Sequence, residues 1–376
     1  MSWWMLYLCA NVLSFPLVMW WLTRRNRLHA TRLETPAAPL ATPRVSLLIP
    51  ARNEADNLRE TLPLWLASLY PELEIIILDD QSDDETPALL LTAQREHPER
   101  FHFLHGRPLP EGWNGKNWAC HQLSQAATGD ILLFCDADVR VGPMAVTHTV
   151  SQLQHTGAGA LTVVPHQQMK SWSEKAIVPL VMQVPTLSFV SLPFTFQSPS
   201  ETFTVANGQW LAFPREVYDS FGGHTSARAA IVEDMELCRQ VKRQGRRVLT
   251  VLATTQLSVR MYDSLSGVRE GFSKNLFALM HYRFHNFLIV LFFFMLAGVL
   301  PWVLPLWLGG IWWLPLGTLL LARLELAALT EQPATSILWH PLGTLLVLGI
   351  ALESLLRTFS NQLHWKGRRL LRPQGE

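Results

Sequence analysis

The chain has 376 residues, of which 49% are hydrophobic and only 16% are charged, whereas a typical soluble domain has about 25% charged residues. The uncharged stretches lie near the two ends, and residues 44–262 have the composition of a soluble domain. A net charge of +1 gives no electrostatic argument for nucleic acid as a partner. The four cysteines form no C-x-x-C pair, which argues against a zinc site or a disulfide framework.

Residues 1–23 predict an N-terminal transmembrane anchor. Residues 2–23 carry no charged side chain, and about 20 apolar residues are enough to span a bilayer as a helix. Arg24, Arg25 and Arg27 follow the apolar run, which reverses the order found in a cleaved signal peptide. Because basic residues stay on the cytoplasmic side, we expect the next domain in the cytoplasm. Residues 24–43 are predicted to be a linker, and its proline-rich part from residue 29 onward an unpacked tether.

Residues 44–262 predict one α/β domain. Strand-like runs cover residues 44–50, 74–80 and 130–138, and helix-like runs cover residues 57–69 and 86–97. Continuous apolar strands separated by helices are typical of a mostly parallel sheet with helices on both faces. Ligands of such sheets bind at the carboxyl ends of the strands, where this chain places several acidic residues.

Asp136 and Asp138 end the third of these predicted strands. Residues i and i+2 share one face of a strand, so both carboxylates are able to point at one ligand. A divalent ion of the Mg²⁺ type takes one or two carboxylates together with phosphate oxygens. The pair therefore predicts a Mg²⁺ or Mn²⁺ site that neutralises the charge on a departing nucleotide diphosphate. A solvated strand end is the alternative interpretation.

Asp79 and Asp80 end the second strand and are followed by Asp83 and Asp84. Carboxylates near one sheet edge repel one another unless a cation or hydrogen-bond donors lie among them. Asp80 is predicted to accept a hydrogen bond from the N–H of a pyrimidine base. For Asp83 and Asp84, capping of the next helix is the favoured interpretation.

Two loops are candidates for binding the nucleotide donor. Pro50, Ala51, Arg52 and Glu54 follow the first strand, where the backbone and Glu54 are predicted to hold the ribose and base. Lys116 lies on a glycine-rich turn, residues 112–118, directly before a helix. The start of a helix favours anionic ligands, but a solvated lysine is the alternative, and the sequence leaves both open.

Glu233 and Asp234 begin a predicted helix after the turn formed by Gly222, Gly223 and His224. A carboxylate in this place is able to act as the general base that takes the proton from an acceptor hydroxyl. The alternative is a carboxylate that complements the positive end of the helix dipole. The residues themselves do not separate these two interpretations.

Residues 286–358 predict a C-terminal transmembrane region. Gly309 and Gly310 divide a long uncharged run, residues 287–322, and a third apolar run covers residues 337–352. Arg323 and Glu325 make the middle segment the weakest candidate for a span. The basic residues of the predicted cytoplasmic tail, 359–376, favour the inside. They conflict with three spans after an N-terminal anchor, so the number of spans stays open.

Two other stretches are predicted to lie at the membrane interface. Residues 176–196 are uncharged but contain three prolines, which argues against a spanning helix. We expect an interfacial segment there that guides a lipid acceptor to the metal, with ordinary core as the alternative. Residues 263–285, which include Lys274 and Arg283, are predicted to form interfacial helices that lead into the first C-terminal span.

In their order, these motifs closely resemble the family 2 glycosyltransferases with a GT-A fold. The order is P-A-R-N-E, L-D-D-Q-S-D-D-E-T, D-A-D, G-G-H and E-D, and the resemblance covers residues 44–283. Four segments are similar to the membrane-bound branch that glycosylates carotenoid acids, hopanoids and related lipids. They are G-K-N-W-A-C-H at 115–121, R-M-Y at 260–262, E-G-F-S-K at 270–274 and W-K-G-R at 365–368.

The resemblance implies roles for individual residues. Asp80 would read the uracil of a UDP-sugar, Asp138 would ligate the metal, and Asp136 would support the ribose or the metal from the same edge. Asp234 would be the base, with Glu233 as the alternative. The residues predicted on the acceptor side are Gly222, Gly223, His224, Arg260 and Lys274. Processive polysaccharide synthases of the family carry Q-x-x-R-W after the base, and the lack of this motif here favours transfer of a single sugar.

These features together predict an inverting, metal-dependent glycosyltransferase at the cytoplasmic face of the cell membrane. The expected architecture is a GT-A type, mostly parallel sheet flanked by helices, with transmembrane helices at both ends. The expected partners are a nucleotide-sugar donor, the lipid bilayer and a lipid-like acceptor such as a carotenoid acid or a hopanoid. Two alternatives are a processive polysaccharide synthase and a non-catalytic membrane protein that binds nucleotide or lipid.

Overall fold

Strands and helices alternate through the middle of the chain, and long apolar helices follow them. The structure is a computed structural model that describes residues 3–34, 38–280, 282–360, 364–365 and 368–369. Its strands are β1 Val45–Ala51, β2 Leu73–Asp79, β3 Phe101–His105, β4 Ile131–Cys135, β5 Val139–Val141, β6 Ala160–Val164, β7 His166–Gln167, β8 Trp210–Pro214, β9 Val248–Leu252, β10 Leu257–Val259, β11 His364–Trp365 and β12 Arg368–Arg369.

Fifteen α-helices are described, together with short helices of other types. The α-helices are α1 Trp3–His29, α2 Ala55–Leu66, α3 Thr86–Glu96, α4 Gly115–Ala126, α5 Ala145–Thr156, α6 Trp172–Val178, α7 Leu192–Gln197, α8 Arg215–Ser220, α9 Glu233–Arg243, α10 Leu265–Ser273, α11 Leu276–Leu279, α12 Phe284–Phe294, α13 Leu300–Leu308, α14 Trp313–Leu329 and α15 His340–Phe359. The π-helices are Pro179–Ser188 and Met295–Val299, and the 3₁₀-helices are Glu201–Phe203, Gly223–Ala227, Gly310–Trp312 and Ala334–Trp339.

The main sheet has seven strands in the order β3-β2-β1-β4-β8-β6-β9. Only β8 runs antiparallel to its neighbours, and the remaining pairs are parallel. This arrangement confirms the predicted mostly parallel sheet flanked by helices. Because Ala51 pairs with Asp79 at the ends of β1 and β2, the residues that follow these strands lie at the same edge.

Helices cover both faces of the sheet. Leu58, Trp65 and Val150 from α2 and α5 are buried against one face, and Leu123 and Leu237 from α4 and α9 are buried against the other. Burial of apolar surface on both sides stabilises the sheet and explains why its strands are uninterrupted apolar runs. The four cysteines are buried free thiols.

The third predicted strand is shorter in the structure than expected. It ends at Cys135, and residues 136–138 form a turn in which the Val139 N–H donates to the carbonyl of Asp136. Ala137 is buried at the centre of this turn, and its carbonyl accepts a hydrogen bond from the Thr61 hydroxyl. The two aspartates therefore reach the sheet edge from a fixed turn rather than from one face of a strand.

The N-terminal helix continues beyond the predicted end of the anchor at residue 23. It continues to His29, because the polar residues of its last turns have partners. The Asn26 amide donates to the carbonyls of Leu187 and Val190, and Arg27 pairs with Glu325 at 2.8 Å. Residues that follow the helix are also packed, contrary to the expected tether. Leu33 is fully buried, and its N–H donates to the carbonyl of Leu252 at the sheet edge.

Three helical segments at the C-terminal side are long and apolar enough to cross a membrane: Phe284–Leu308, Gly310–Leu329 and Ala334–Phe359. They match the predicted segments, including the division at Gly309 and Gly310. In the middle segment, Arg323 is buried and Glu325 pairs with Arg24 and Arg27 of α1. The crossing of α1 itself, which is not one of the three, stays a prediction. Apart from residues 359–360, 364–365 and 368–369, the predicted tail lies outside the described residues.

Residues 176–196 pack largely as core. Ile177, Leu180, Val184 and Leu187 are buried in a cluster that also contains residues of α1, α14 and α15. This packing agrees with the alternative interpretation for most of the segment. The packing has a physical reason, since the π-helix places a continuous apolar surface between the sheet domain and the apolar helices. Residues 265–279 form α10 and α11, and their interfacial location stays a prediction.

Candidate active site

A cavity of about 330 Å³ opens at the edge of the sheet where β1, β2 and β4 end. It also receives residues from the starts of α4 and α9 and from α10. The structure thus brings together most of the predicted site residues in one place. Those that line the cavity are Pro50, Ala51, Arg52, Glu54, Asp80, Lys116, Asp136, Asp138, Glu233, Asp234 and Lys274.

Lys116 joins two acidic segments of the cavity. Its Nζ lies 2.7 Å from Oδ1 of Asp136 and 2.8 Å from Oε1 of Glu233. Burial alone would lower the pKa of Lys116, but the carboxylates of Asp136 and Glu233 outweigh this effect and hold the pKa well above its usual value. The lysine is therefore a fixed positive charge. Its two ion pairs contradict the alternative interpretation of Lys116 as a merely solvated side chain.

Two asparagines position Lys116 opposite the acidic helix start. The Asn117 amide donates to the carbonyls of Ala227 and Ala230 at 2.7 and 2.9 Å, and the Asn114 amide donates to the carbonyl of Ala229 at 2.9 Å. Both side chains are buried. These bonds tie the start of α4 to the loop that leads into α9, so the ion pair between Lys116 and Glu233 forms across two anchored segments.

Asp138 has the properties of a cation ligand. Its Oδ1 is buried, and no described residue forms a hydrogen bond with that atom. Burial, together with the nearby carboxylates of Asp136 and Glu54, raises the pKa of Asp138 to about 7. A buried carboxylate without a partner is costly, and a divalent cation would stabilise its ionised form. The residues present therefore fit a divalent metal.

Within the described residues, no cluster of three or more His, Cys, Asp and Glu side chains is arranged to hold a metal alone. Asp138 and Asp136 would hold the ion together with oxygens of a bound diphosphate, which is the usual arrangement for Mg²⁺. When bound, the ion would supply positive charge to the leaving diphosphate.

The loop after β1 and the end of β2 form the opposite wall of the cavity. The Asp80 N–H donates to the carbonyl of Ala51 at 2.7 Å, and Arg52 donates to the carbonyl of Asp80 at 2.5 Å. Asp80 is buried and lines the cavity. Asp84 does not reach the cavity, because its carboxylate accepts hydrogen bonds from the N–H groups of Ala55 and Thr86 at the starts of α2 and α3. Asp84 therefore caps the starts of these helices, as the capping interpretation predicted.

Asp234 and Glu233 lie side by side at the start of α9 but have different surroundings. Glu233 is paired with Lys116. Asp234 accepts a hydrogen bond from the Met235 N–H at 2.8 Å, and burial together with the Glu233 charge raises its pKa to about 6. A carboxylate with such a pKa is ionised at neutral pH and is still basic enough to accept a proton.

Gly208 lets the backbone approach Asp234 closely. A Cβ atom added at Gly208 would lie 3.3 Å from Cβ and 3.5 Å from Oδ2 of Asp234. The neighbouring Asn207 and Gln209 also line the cavity and are joined by a hydrogen bond of 3.2 Å. Sequence reasoning missed this segment. The only signal was a polar N-G-Q stretch directly before the apolar run of β8.

One wall of the cavity is apolar. It contains Met182 of the π-helix, Phe272 of α10, and Met261 and Tyr262 from the connection between β10 and α10. None of these four was predicted as a site residue. The R-M-Y segment was noted for its resemblance alone, and apolar residues carry no chemical signal that separates a cavity wall from core.

The remaining acceptor-side predictions lie outside the main cavity. Gly222 and Gly223 form a turn with positive φ, and a Cβ at Gly223 would come within 2.2 Å of the Tyr218 ring. His224 is buried behind the cavity, where its Nδ1 lies 2.7 Å from the Tyr218 hydroxyl. Burial and the Lys116 charge lower the pKa of His224 to about 3. Gly222, Gly223 and His224 therefore support the turn before α9.

Arg260 contacts a buried carboxylate instead of the cavity. Its Nε donates to Oε1 of Glu174 at 3.0 Å, and Glu174 is 1% exposed. Glu174 also completes a capping box with Ser171 at the start of α6. Arg260 therefore fixes α6 against the end of β10.

Comparison with known proteins identifies the family. Residues 43–284 match the sequence model of the family described as glycosyltransferase like family 2. The 4,4'-diaponeurosporenoate glycosyltransferase of Staphylococcus haemolyticus is 27% identical over 259 residues, which cover 67% of this chain and 66% of that protein. The enzyme of the same name from Staphylococcus aureus is 28% identical over 256 residues, with 67% and 65% covered. The match thus spans slightly less than two thirds of these relatives.

A solved structure has the same fold. Mannosyltransferase PcManGT from Pyrobaculum calidifontis, determined in complex with GDP-Man and Mn²⁺, aligns with a TM-score of 0.60 at 20% identity and covers 94% of this chain and 97% of its own. This likeness confirms the GT-A type architecture, including the helices outside the sheet domain. The family match over residues 43–284, more than half of the chain, leads to one conclusion: the chain belongs to glycosyltransferase like family 2, a family of enzymes that transfer sugars.

Proposed function

We propose that this protein transfers a single sugar from a UDP-sugar to a lipid acceptor at the cytoplasmic face of the membrane, with Mg²⁺ or Mn²⁺ as cofactor. One observation carries the proposal: the acidic ends of three separate segments, Asp80, Asp138 and Asp234, line one cavity together with Lys116. Fold alone does not define activity, whereas this arrangement combines an anion-binding cation, a metal ligand and a base.

The donor is held on the side of β1 and β2. The loop from Pro50 to Glu54 and the carboxylate of Asp80 would contact the ribose and the uracil. Lys116, at the start of α4, contributes a positive charge and a helix N-terminus, both of which favour a diphosphate. Asp136 orients Lys116 through their ion pair of 2.7 Å.

Asp234 is the better candidate for the base. The Glu233 carboxylate is engaged by Lys116 at 2.8 Å, so one of its oxygens is already held by a cation of the donor side. Asp234 has the raised pKa that general-base catalysis requires. It would remove the proton of the acceptor as the acceptor attacks the anomeric carbon of the sugar, while the bond from that carbon to the diphosphate oxygen breaks and UDP leaves with the electron pair. Direct attack of this kind inverts the anomeric configuration.

The acceptor side supports a lipid. The apolar wall of Met182, Met261, Tyr262 and Phe272 continues into the packed helices α6 and α10, which contact α15. Three neighbouring segments are long and apolar enough to span a bilayer. Arg24, Arg25 and Arg27 at the end of α1 favour a cytoplasmic location of the sheet domain. The relatives named above act on a carotenoid acid, in agreement with an apolar acceptor.

The proposal is tested with membranes from cells that express the full chain. The membranes are incubated with labelled UDP-sugars and a lipid extract, with Mn²⁺ or with EDTA. We expect label in the lipid fraction only when the metal is present, in products that carry one sugar. GDP-mannose in a parallel reaction tests whether the donor site selects uracil over guanine. Transfer from GDP-mannose alone would contradict the role given to Asp80.

Matched variants separate catalysis from binding. Asp138→Asn should abolish transfer, whereas Asp56→Asn, a change of the same kind at a fully exposed carboxylate, should leave it unchanged. UDP binding without any transfer to lipid would indicate a non-catalytic protein. A polymer of many sugars would indicate a processive synthase.

A further inference from the structure

Three polar side chains lie together among the apolar helices, away from the active-site cavity. Arg323 of α14 and His340 of α15 are each 3% exposed. Nε and Nη1 of Arg323, both ring nitrogens of His340 and Nε1 of Trp302 are buried, and none of these atoms has a hydrogen-bond partner among the described residues. The His340 ring stacks on the Trp302 indole of α13 with the centroids 6.2 Å apart, and Arg323 lies within electrostatic range of His340.

The charge of Arg323 has no counter-ion within the part of the chain that the structure describes. Residues 284–360 contain three carboxylates, and each of them already pairs with other arginines. The pairs are Glu325 with Arg24 and Arg27, Glu331 with Arg32, and Glu353 with Arg269 and Arg357. A guanidinium stays protonated in proteins, and an isolated buried charge is costly. An anion bound beside Arg323 would compensate this cost.

The chemistry of the three side chains fits a phosphate group. A guanidinium presents a planar fork of N–H donors that matches two phosphate oxygens. An indole contributes one N–H donor, and a neutral imidazole contributes one more. Because these donors come from three different helices, they would approach an anion from several sides. A phosphate has oxygens in a tetrahedral arrangement for such donors, whereas a carboxylate offers two oxygens in one plane.

The cluster lies close to the sheet domain. The carbonyl of Thr330, directly after α14, is 3.2 Å from Nδ1 of His166 in β7. Arg323 precedes Thr330 by seven residues, which is about 10 Å along a helix. Trp339, at the start of α15, packs on Trp172 of α6 with the ring centroids 5.8 Å apart. The cluster is therefore at the end of the apolar helices that faces the sheet domain, and tryptophan rings are typical of the headgroup level of a bilayer.

The surface beside the cluster is apolar. Leu324, Leu338 and Leu342, which neighbour Arg323 and His340 in the chain, are exposed. A free phosphate ion gains nothing from such a surface, whereas the acyl chains of a phospholipid would cover it. Basic sites between membrane helices on the cytoplasmic side are known to bind the headgroups of anionic lipids. These features favour a lipid as the source of the phosphate.

Given the membrane location that the proposed function includes, we propose that Arg323, His340 and Trp302 bind the phosphate of an anionic phospholipid. The lipid comes from the leaflet next to the sheet domain. Its phosphate compensates the Arg323 charge and accepts hydrogen bonds from the guanidinium, the indole and the imidazole, and its acyl chains lie along the exposed leucines. The bound lipid joins α13, α14 and α15 and stabilises their arrangement.

The first experiment measures thermal unfolding of the purified full chain in a neutral detergent. The added probe is phosphatidylglycerol, phosphatidylcholine or inorganic phosphate. Phosphatidylglycerol should raise the midpoint in a saturable manner, and the other two should have a much smaller effect. No rise with phosphatidylglycerol would overturn the inference, and an equal rise with either of the other probes would overturn the assignment to an anionic lipid. Sugar transfer is not measured, so the outcome is independent of the proposed function.

The second experiment compares variants in the same assay. Arg323→Met should weaken the binding of phosphatidylglycerol by about tenfold or more, and Trp302→Phe, which keeps a ring beside His340, by about two- to tenfold. Arg357→Met is the matched control. It removes the same charge near the end of α15, where Arg269 still pairs with Glu353 at 2.6 Å, and should keep the affinity of the parent protein. Equal affinity in Arg323→Met and the parent would overturn the inference.

The behaviour without lipid separates this site from an internal ion pair. In neutral detergent alone, Arg323→Met should unfold at the same midpoint as the parent or higher, because an uncompensated charge is removed. A midpoint several degrees lower would show that Arg323 has an internal partner and would overturn the inference. Native mass spectrometry of both proteins, purified from the same membranes, should find bound anionic phospholipid on the parent and much less on Arg323→Met. Equal amounts on both would also contradict the proposed site.

Discussion

Replacement of Arg260 by methionine removes one partner of a buried ion pair. Arg260 donates to the Glu174 carboxylate from Nε at 3.0 Å and from Nη2 at 3.4 Å. Removal of one partner of a buried pair costs about 3–5 kcal/mol, because the other charge stays without compensation. The Arg260 side chain is 27% exposed, and the Lys170 and Ser171 N–H groups still donate to Glu174. We therefore expect the lower end of this range, about 3 kcal/mol.

The measurement is thermal unfolding of the purified full chain in detergent. Arg260→Met should lower the midpoint by several degrees, and the double variant Arg260→Met with Glu174→Gln should regain part of the loss because no buried charge remains. Arg246→Met is the control, since its pair with Glu216 is 3.6 Å long and both side chains are about half exposed or more. It should change stability by less than about 0.5 kcal/mol.

The effect should also depend on pH. Burial alone would raise the pKa of Glu174, but hydrogen bonds from Arg260 and Ser171 outweigh it and lower the pKa. Stabilisation from a lowered pKa is present above the value in the unfolded chain, about 4.3, and is lost as the pH falls through the value in the folded chain. The difference between parent and Arg260→Met should therefore shrink below about pH 4. If Arg260→Met left the midpoint of thermal unfolding unchanged but abolished sugar transfer, this reasoning would be refuted. Arg260 would then be assigned to acceptor binding, as the sequence predicted.

Three further predictions concern the active site. The kcat/KM of the transfer should rise with pH through about 6, because Asp234 acts as a base only when ionised, and the Asp234→Asn variant should lose this rise; a profile that falls with pH would contradict the assignment. Gly208→Ala should reduce kcat without weakening UDP binding, because the added Cβ would lie 3.3 Å from Cβ of Asp234; unchanged kinetics would show that the carboxylate does not need this space. Asn117→Ala should lower both stability and kcat, because two backbone carbonyls lose a buried donor at 2.7 and 2.9 Å. At about 1 kcal/mol for each bond the stability loss is about 2 kcal/mol, measured by thermal unfolding with Gln125→Ala, at an exposed position of the same helix, as comparison.

The sequence predicted the fold well where periodicity and strand-end chemistry agree. The apolar runs before Pro50 and Asp80 predicted β1 and β2 to within one or two residues. It overestimated the length of β4, because the apolar run up to Asp138 contains Ala137. This buried alanine continues the strand pattern, although it belongs to a turn. It also treated Leu33 as part of a tether, because a single apolar residue among prolines gives no periodic signal.

Acidic and basic site residues were predictable because charge in an apolar context is a strong signal. Asp80, Asp138 and Asp234 were expected at one edge, and the structure brings them to one cavity. Lys116, for which the sequence left donor binding and a solvated side chain open, lines the same cavity. Arg260 was not distinguishable from a cavity residue, since its buried partner, Glu174, lies 86 residues away. Met182 was not identified either, because its position in the wall depends on the π-helix, for which the sequence gives no clear signature.

The central claim is that the acidic ends of separate segments bind a metal and a nucleotide sugar together, and UDP binding to the purified chain with and without Mn²⁺ tests it most directly. We predict that Mn²⁺ increases UDP affinity by about tenfold or more, which corresponds to about 1.4 kcal/mol. Asp138→Asn should lose that increase, whereas Asp56→Asn should keep it. Equal UDP affinity with Mn²⁺ and with EDTA, or an undiminished Mn²⁺ effect in Asp138→Asn, would contradict the account.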